Sequence, residues 1–187
     1  MKSKYEIKIK LKSALHINAG KSGDGTQTAV KSGGEAYIPA TALKGILRGN
    51  MEMLIKSLDP DYSCNGKENA ERSCDCIMCR FFGKAGFQPS RVVIDNLYNE
   101  GDDMKSEYRT NNGIDRHTRR VQDKALVSRE AVSAVGEQVF RGNMVVYYTD
   151  EMIRYKSVLL KAFDMIDSIG SSKSRGMGLV ETEVTEL

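Results

Sequence analysis

No run in this chain approaches the roughly eighteen consecutive apolar residues that a membrane-spanning helix needs. The opening Met1-Lys2-Ser3-Lys4-Tyr5 leads straight into alternating charges and holds no apolar signal core. Together these absences predict a cytoplasmic protein with no membrane partner. Charge of one sign is also lacking. The 28 Lys and Arg nearly balance 25 Asp and Glu, a net +3, which excludes a histone-like polycation. Nucleic acid stays open as a partner where the cations gather on one face. Tryptophan is absent and proline occurs only three times. No internal repeat and no linker divide the chain, so 1–187 reads as a single domain. Apolar residues at 40% and charged residues at 28% are those of an ordinary globular chain, not a disordered one.

Hydrophobic periodicity orders the elements. In 4–11, Tyr5, Ile7, Ile9 and Leu11 alternate with Lys4, Glu6, Lys8 and Lys10, which predicts a strand with one buried face. The Gly/Ser/Thr-rich stretch 18–34 predicts a loop or loose hairpin. Leu43, Ile46, Leu47, Met51, Leu54, Ile55 and Leu58 fall at helical spacing, which predicts a helix over 42–58 with Thr41 as its N-cap. Val92-Val93-Ile94 reads as a second core strand, and 99–130, poor in apolar residues, as a projecting loop or hairpin. A strand over 139–148, a helix over 152–169 ended by Gly170, and a strand over 179–184 complete the chain. The order is strand, helix, strand, insertion, strand, helix, strand. It predicts an α+β, ferredoxin-like βαββαβ core with both helices on one face of the sheet.

Four cysteines, Cys64, Cys74, Cys76 and Cys79, crowd into sixteen positions. Outside a secretory context, clustered thiols favour a metal over a disulfide framework. Four thiolates close a tetrahedral zinc site and leave no position for substrate, so such a zinc is structural. The expectation is a zinc-binding insertion over 60–82; the alternative is a set of reduced thiols. The segment Gly170-Ser171-Ser172-Lys173-Ser174-Arg175-Gly176-Met177-Gly178 combines glycines that admit close backbone approach with two cations. That suits a phosphate, and it also suits a plain helix-to-strand turn. Lys44 and Arg48 lie one helical turn apart near a helix start, where unpaired amides attract anions; a solvated helix face is the alternative. Arg109, Arg116, Arg119, Arg120, Lys124 and Arg129 make 99–130 a candidate nucleic-acid arm. His16 and His117 are far apart, and Asp24 stands in a glycine-flanked turn.

These segments resemble a known family in their order along the chain. Leu15-His16-Ile17-Asn18-Ala19-Gly20, Tyr37-Ile38-Pro39-Ala40-Thr41-Ala42-Leu43-Lys44-Gly45-Ile46-Leu47-Arg48, Cys79-Arg80-Phe81-Phe82-Gly83, Gly113-Ile114-Asp115-Arg116 and the 170–178 loop are similar to the RAMP superfamily of CRISPR-associated proteins. Within it the chain most resembles the backbone subunit of type III and related RNA-targeting effector complexes. The resemblance implies an RRM-like core whose copies assemble head to tail along one guide (CRISPR) RNA. It implies that a thumb hairpin over 99–130 separates guide from complementary target RNA. It assigns RNA contacts to His16, Asn18, Lys44, Arg48, Arg116, Arg119, Arg120, Ser171, Ser172, Lys173, Ser174, Arg175 and Gly176. Target-cleaving members carry an aspartate after the first strand, and Asp24 is the candidate here, though it does not align cleanly.

Three functions therefore compete. The first is a non-catalytic guide-RNA scaffold that works with other effector subunits and a separate nuclease. The second is a metal-dependent endoribonuclease that, as the resemblance implies, cuts target RNA at six-nucleotide intervals through Asp24, or processes the repeat transcript with His16, His117 or a lysine as acid or base. The third is a zinc-stabilised interaction module, which leaves the glycine loop and Lys44/Arg48 without a role.

Overall fold

A computed structural model describes residues 1–64, 74–84, 86, 88–101 and 104–187. Eleven strands and four helices run in the order β1 (Lys2–Leu11), β2 (Asn18–Lys21), β3 (Gln27–Ala29), β4 (Lys31–Ser32), β5 (Glu35–Ile38), α1 (Ala40–Leu58), α2 (Ile77–Phe82), β6 (Val92–Ile94), β7 (Leu97–Asn99), β8 (Ser106–Ile114), β9 (Val121–Val132), β10 (Val139–Tyr147), α3 (Asp150–Ile153), α4 (Lys156–Asp164) and β11 (Val180–Glu186) among these residues.

The main sheet follows from the alternation in β1. Tyr5, Ile7 and Ile9 are fully buried, with Leu11 at 3% exposure, while Lys4 on the opposite face stays in solvent. β1 pairs antiparallel with β11 on one side and β10 on the other, and β10 pairs antiparallel with β6 and β7. With β6 and β7 together as the second strand, the order is 4-1-3-2, the arrangement of a ferredoxin-like βαββαβ core. β5 extends the sheet beyond β7, and β4 pairs with β5. α1 lays Leu43, Leu47, Met51 and Ile55 onto the core at four-residue spacing. Burial of each such side chain contributes about 1.5–3 kcal/mol.

Several boundaries differ from the expectations. α1 begins at Ala40, not 42, and its N-cap is Pro39, not Thr41; the Ala40 N–H donates to Asn96 Oδ1 (2.9 Å). Proline fits there because its own N–H is missing and its φ is fixed near −61°. The single helix expected over 152–169 is two, α3 and α4, broken at Arg154–Tyr155, and Met165 rather than Gly170 caps the second. The apolar rhythm runs unbroken through this turn, since Met152, Leu159, Ala162, Phe163, Ile166 and Ile169 are all buried. The stretch 18–34 holds the β2–β3 hairpin, in keeping with the loose hairpin expected there, and β4, which turns back into β5.

A second, four-stranded sheet joins β2, β3, β9 and β8. β8 and β9 form one long hairpin, paired from Ser106↔Val132 at the root to Ile114↔Val121 at the tip. Its root is core: Ala131 and Val132 are buried, and Leu15 bridges Val132. The 99–130 segment is thus a projection built on a buried base, with 102–103 outside the described residues. The 60–82 segment differs similarly. Its positions 65–73 lie outside the described residues, but Met78, Cys79, Phe81 and Phe82 of α2 are part of the main core.

Candidate RNA interface and metal centre

The chain leaving β1 is the hub of the first site. It is stitched to the glycine loop by five bonds. Lys12 N–H and Ser13 N–H donate to Leu179 O (2.8 and 3.3 Å), Gly178 N–H to Ala14 O (2.8 Å), Ser171 N–H to His16 O (2.9 Å), and Leu179 N–H to Ser13 Oγ (2.9 Å). It is also stitched to the root of the β8–β9 hairpin. Leu15 and Val132 exchange backbone bonds, and His16 Nδ1 lies 2.6 Å from Glu130 O. A carbonyl only accepts, so Nδ1 carries the hydrogen and donates. In the neutral ring Nε2 is then a bare acceptor. That atom is buried without a partner among the described residues, and so is the neighbouring Ser171 Oγ. A small apolar cluster of Ala14, Ala131 and Met177 lies where these three segments meet.

The glycine loop is a built projection. Ser172 and Gly176 both take left-handed backbone, φ +61° and +78°, around one 3₁₀ turn over Lys173–Arg175. Met177 is buried beneath it, so Lys173, Ser174 and Arg175 are held out in solvent. Two loop-end glycines serve the protein's own packing instead of a phosphate. A Cβ on Gly170 would stand 2.4 Å from His16 O, and one on Gly178 would stand 1.9 Å from Ile169 O.

On α1 the first turn holds no acidic residue and no side-chain cap. Lys44 and Arg48 follow on it. Burial, then the Arg48 charge, lowers the Lys44 pKa below the ordinary lysine value. Arg48 Nε is buried with no partner among the described residues. Two crowded, partly desolvated cations repel each other until an anion joins them. The other nominated residues stand elsewhere. Asn18 Oδ1 accepts from Gly20 N–H (3.1 Å) within its own strand. Arg116, Arg119 and Arg120 are exposed at the hairpin tip, on a turn that Asp115 fixes by accepting from His117 N–H (2.9 Å) and Thr118 N–H (2.7 Å). The hairpin separates His117 at its tip from His16 at its root by about 30 Å, at roughly 3.4 Å per residue, so no His16–His117 pair forms within one chain.

Asp24 sits in the exposed turn between β2 and β3, and its carboxylate is occupied by that turn. Ser22 Oγ and Thr26 N–H (3.0 Å) donate to Oδ1, and Thr26 Oγ1 (3.1 Å) donates to Oδ2. The Ser22 hydroxyl first, then the Thr26 donors, hold its carboxyl below the usual carboxylate range.

Sequence reasoning did not nominate Glu130. Its carboxylate is buried at the hairpin root, where it accepts from Lys31 Nζ and from Ala29 N–H (3.3 Å). Burial pushes its carboxyl up, but Lys31 and the Ala29 amide outweigh that and bring it below the usual range. Arg129 beside it donates from Nε to Gln27 Oε1 (2.7 Å). Together they clamp the β2–β3 hairpin to the longer one. No motif marks Glu130, which the sequence sets between Arg129 and Ala131.

The second site lies under α2. Cys64 Sγ is 3.5 Å from Cys76 Sγ and 3.6 Å from Cys79 Sγ, and all four thiols, Cys74 included, lie within 4.8 Å of one another. A disulfide needs about 2.05 Å, and all four are free thiols. Around one zinc with Zn–S near 2.3 Å, tetrahedral sulfurs stand about 3.8 Å apart. The donor set and spacing fit a single ion with four thiolates. Burial pushes the Cys79 thiol pKa well up, so a metal has to displace its proton.

A 4-1-3-2 antiparallel sheet backed by helices, with cationic segments on the surface, has the plan of an RRM-like nucleic-acid-binding protein. The chain belongs to the RAMP superfamily, whose sequence profile matches residues 8–181; its members are CRISPR-associated RNA-binding proteins. No curated protein matches the chain. The four cysteines are a possible metal site, and among the described residues no helix is long and apolar enough to cross a membrane.

Proposed function

We propose that this chain is the backbone subunit of an RNA-guided effector complex. Copies of it coat one guide RNA head to tail and present complementary target RNA to a partner nuclease. The observation that carries the reading is a set of unpartnered buried polar atoms, His16 Nε2, Ser171 Oγ and Arg48 Nε, on three segments the sequence nominated for RNA. An unsatisfied buried polar group costs about 1–3 kcal/mol, and such groups are kept where a ligand completes them. Lys44, Arg48, Lys173 and Arg175 hold the guide backbone, and Ser171, Ser172, Ser174 and the Gly176 turn bring donors to it. The β8–β9 hairpin, with Arg116, Arg119 and Arg120 at its tip, is the thumb. Cys64, Cys74, Cys76 and Cys79 hold one structural zinc that fixes the segment before α2.

Binding of a guide-length RNA by fluorescence anisotropy across a salt series tests the reading. Lys44→Ala, Arg48→Ala and Arg175→Ala each weaken binding irrespective of sequence, and each flattens the salt slope by about 0.7. A change in base preference would overturn the backbone-contact assignment.

A further inference from the structure

The face of the main sheet opposite the helices has an aromatic and cationic end that the reading above does not use. Tyr147, near the end of β10, is 44% exposed on that face. Its N–H donates to Arg91 O on one side (3.0 Å), and it stands opposite Lys2 of β1 on the other. The Lys2 ammonium lies 5.8 Å from the ring centroid. The next row along the sheet is Val93, Val145 and Lys4, with Val93 48% exposed. Among the described residues, none of Arg91, Lys2 and Lys4 makes an ion pair with an acid. Elsewhere on the sheet and its rim the cations are neutralised: Lys8 by Glu6 and Glu183, Lys10 by Glu137, Lys12 by Glu181, and Arg141 by Glu6 and Glu100.

Six residues back along β10, the outward row holds a second exposed ring, this one next to a cation already paired with Glu6 and Glu100. Tyr98, 47% exposed, stands beside Arg141 and stacks on Tyr37, with centroids 5.7 Å apart and planes at 29°. At 3.3–3.4 Å per residue the two aromatic stations are about 20 Å apart. An exposed ring flanked by free cations holds a base by its π-face and the adjoining phosphates by charge. A double helix cannot offer its bases this way.

We propose that this face is a second RNA-binding surface, taking a single-stranded segment with a base stacked on Tyr147, its phosphates on Arg91, Lys2 and Lys4, and its other end reaching Tyr98. It lies at the opposite end of β1 from the glycine loop, some 30 Å away at the strand rise per residue, so it is separate from the guide contacts. The occupant is RNA and not a second copy of the chain because the unpaired charge at the Tyr147 end is all positive, whereas farther along the face Asp95 accepts from Asn143 (3.3 Å) and the cations are paired.

The test uses the full chain and an octauridylate carrying 4-thiouridine. Photocrosslinks are expected in the segment 142–154. Tyr147→Ala is expected to weaken octauridylate binding roughly fivefold to a hundredfold, from the value of one stacked base, while Tyr147→Phe retains it. Arg91→Ala with Lys4→Ala lowers the salt slope by about 1.4. Thermal melts of the same variants exclude misfolding, and Tyr147→Phe and the exposed Arg91→Ala keep the test decisive where Tyr147→Ala melts early. Crosslinks confined to 40–48 and 171–178 would overturn this surface and leave the guide reading standing. Crosslinks confined to 142–154 would do the reverse. A Tyr147→Ala change in the sedimentation of RNA-free protein, with RNA affinity intact, would make the face a contact between copies and overturn the proposal.

Discussion

Gly176 and Gly178 are two residues apart and look alike in sequence, yet they answer to different neighbours. Both have positive φ, but a Cβ on Gly176 meets open space, while one on Gly178 meets Ile169 O at 1.9 Å. Gly178→Ala is therefore expected to cost about 3 kcal/mol or more, a fall of roughly 6–12 °C in melting temperature for a chain of this size. Gly176→Ala carries only backbone strain of order 1 kcal/mol, and its effect falls on RNA binding. Thermal melts of the pair check this. The glycine richness was legible in the sequence; which glycine meets open space and which faces its own backbone was not, because that depends on the segment 12–16 folding back onto the loop. Glu130 was equally hidden, since its partners Lys31 and Ala29 are about a hundred positions away. Its folded-state pKa lies below the unfolded value near 4.3. The stability it contributes is complete above that value and is lost as pH falls through the lower folded one. Protection of the Ala29 amide against exchange is expected to fall as pH drops through the lowered folded value, and Glu130→Gln to bring the same opening to neutral pH.

At the scale of elements, β1, β6, β10 and β11 of the main sheet were legible because their apolar pattern is a local property of the chain, whereas β4, β5 and β7, two to four residues each, were not. The break between α3 and α4 was not, because the apolar face continues across it. The cysteine segment was half legible. Its cysteines were nominated from spacing, but the packing of α2 into the core through Met78, Phe81 and Phe82 was not. On the proposed zinc site, metal loss therefore reaches the core. Purified protein is expected to hold about one zinc per chain with four thiolate ligands. Chelation, or Cys76→Ser, is expected to raise hydrogen exchange over 74–83 and then in the neighbouring α1, and to lower solubility more than RNA affinity. Freshly reduced protein free of zinc by metal analysis would end the assignment. The long hairpin calls for the opposite expectation. Its outer part carries exposed Tyr108, Ile114, Val121 and Leu126. Deletion of 108–128 with a short glycine turn in its place is expected to leave the core folded, because Glu130, Ala131 and Val132 at the root remain. An unfolded product in circular dichroism would make the outer hairpin part of the core.

At the scale of the whole molecule, a subunit that presents RNA in the proposed way either cuts it or leaves it to a partner nuclease. Cleavage needs a carboxylate at the scissile phosphate, with a metal or a base to activate the attacking oxygen. Asp24 is the chain's candidate, and its own turn argues against it. Both carboxylate oxygens already accept hydrogen bonds, from Ser22 and Thr26. Those bonds hold its pKa below the ordinary 3.8, far from the near-neutral value that suits a general base. The residues on either side are glycines, and the turn is exposed at the end of a short hairpin, so nothing fixes the carboxylate against a substrate. His117 is a hairpin length from His16, so the two histidines do not act as a pair within one chain. The expected outcome for the complex of this protein with guide RNA is tight binding of complementary RNA without efficient cutting, with and without magnesium. Asp24→Ala is expected to leave target affinity unchanged within twofold and to loosen only the β2–β3 turn. Metal-dependent products at six-nucleotide intervals that vanish in Asp24→Ala would reverse this and make the turn a catalytic loop that RNA reshapes. Products that persist in Asp24→Ala would point to another residue of the same chain, and a contaminating nuclease is separated from that by their decline in Lys44→Ala, which holds the guide more weakly.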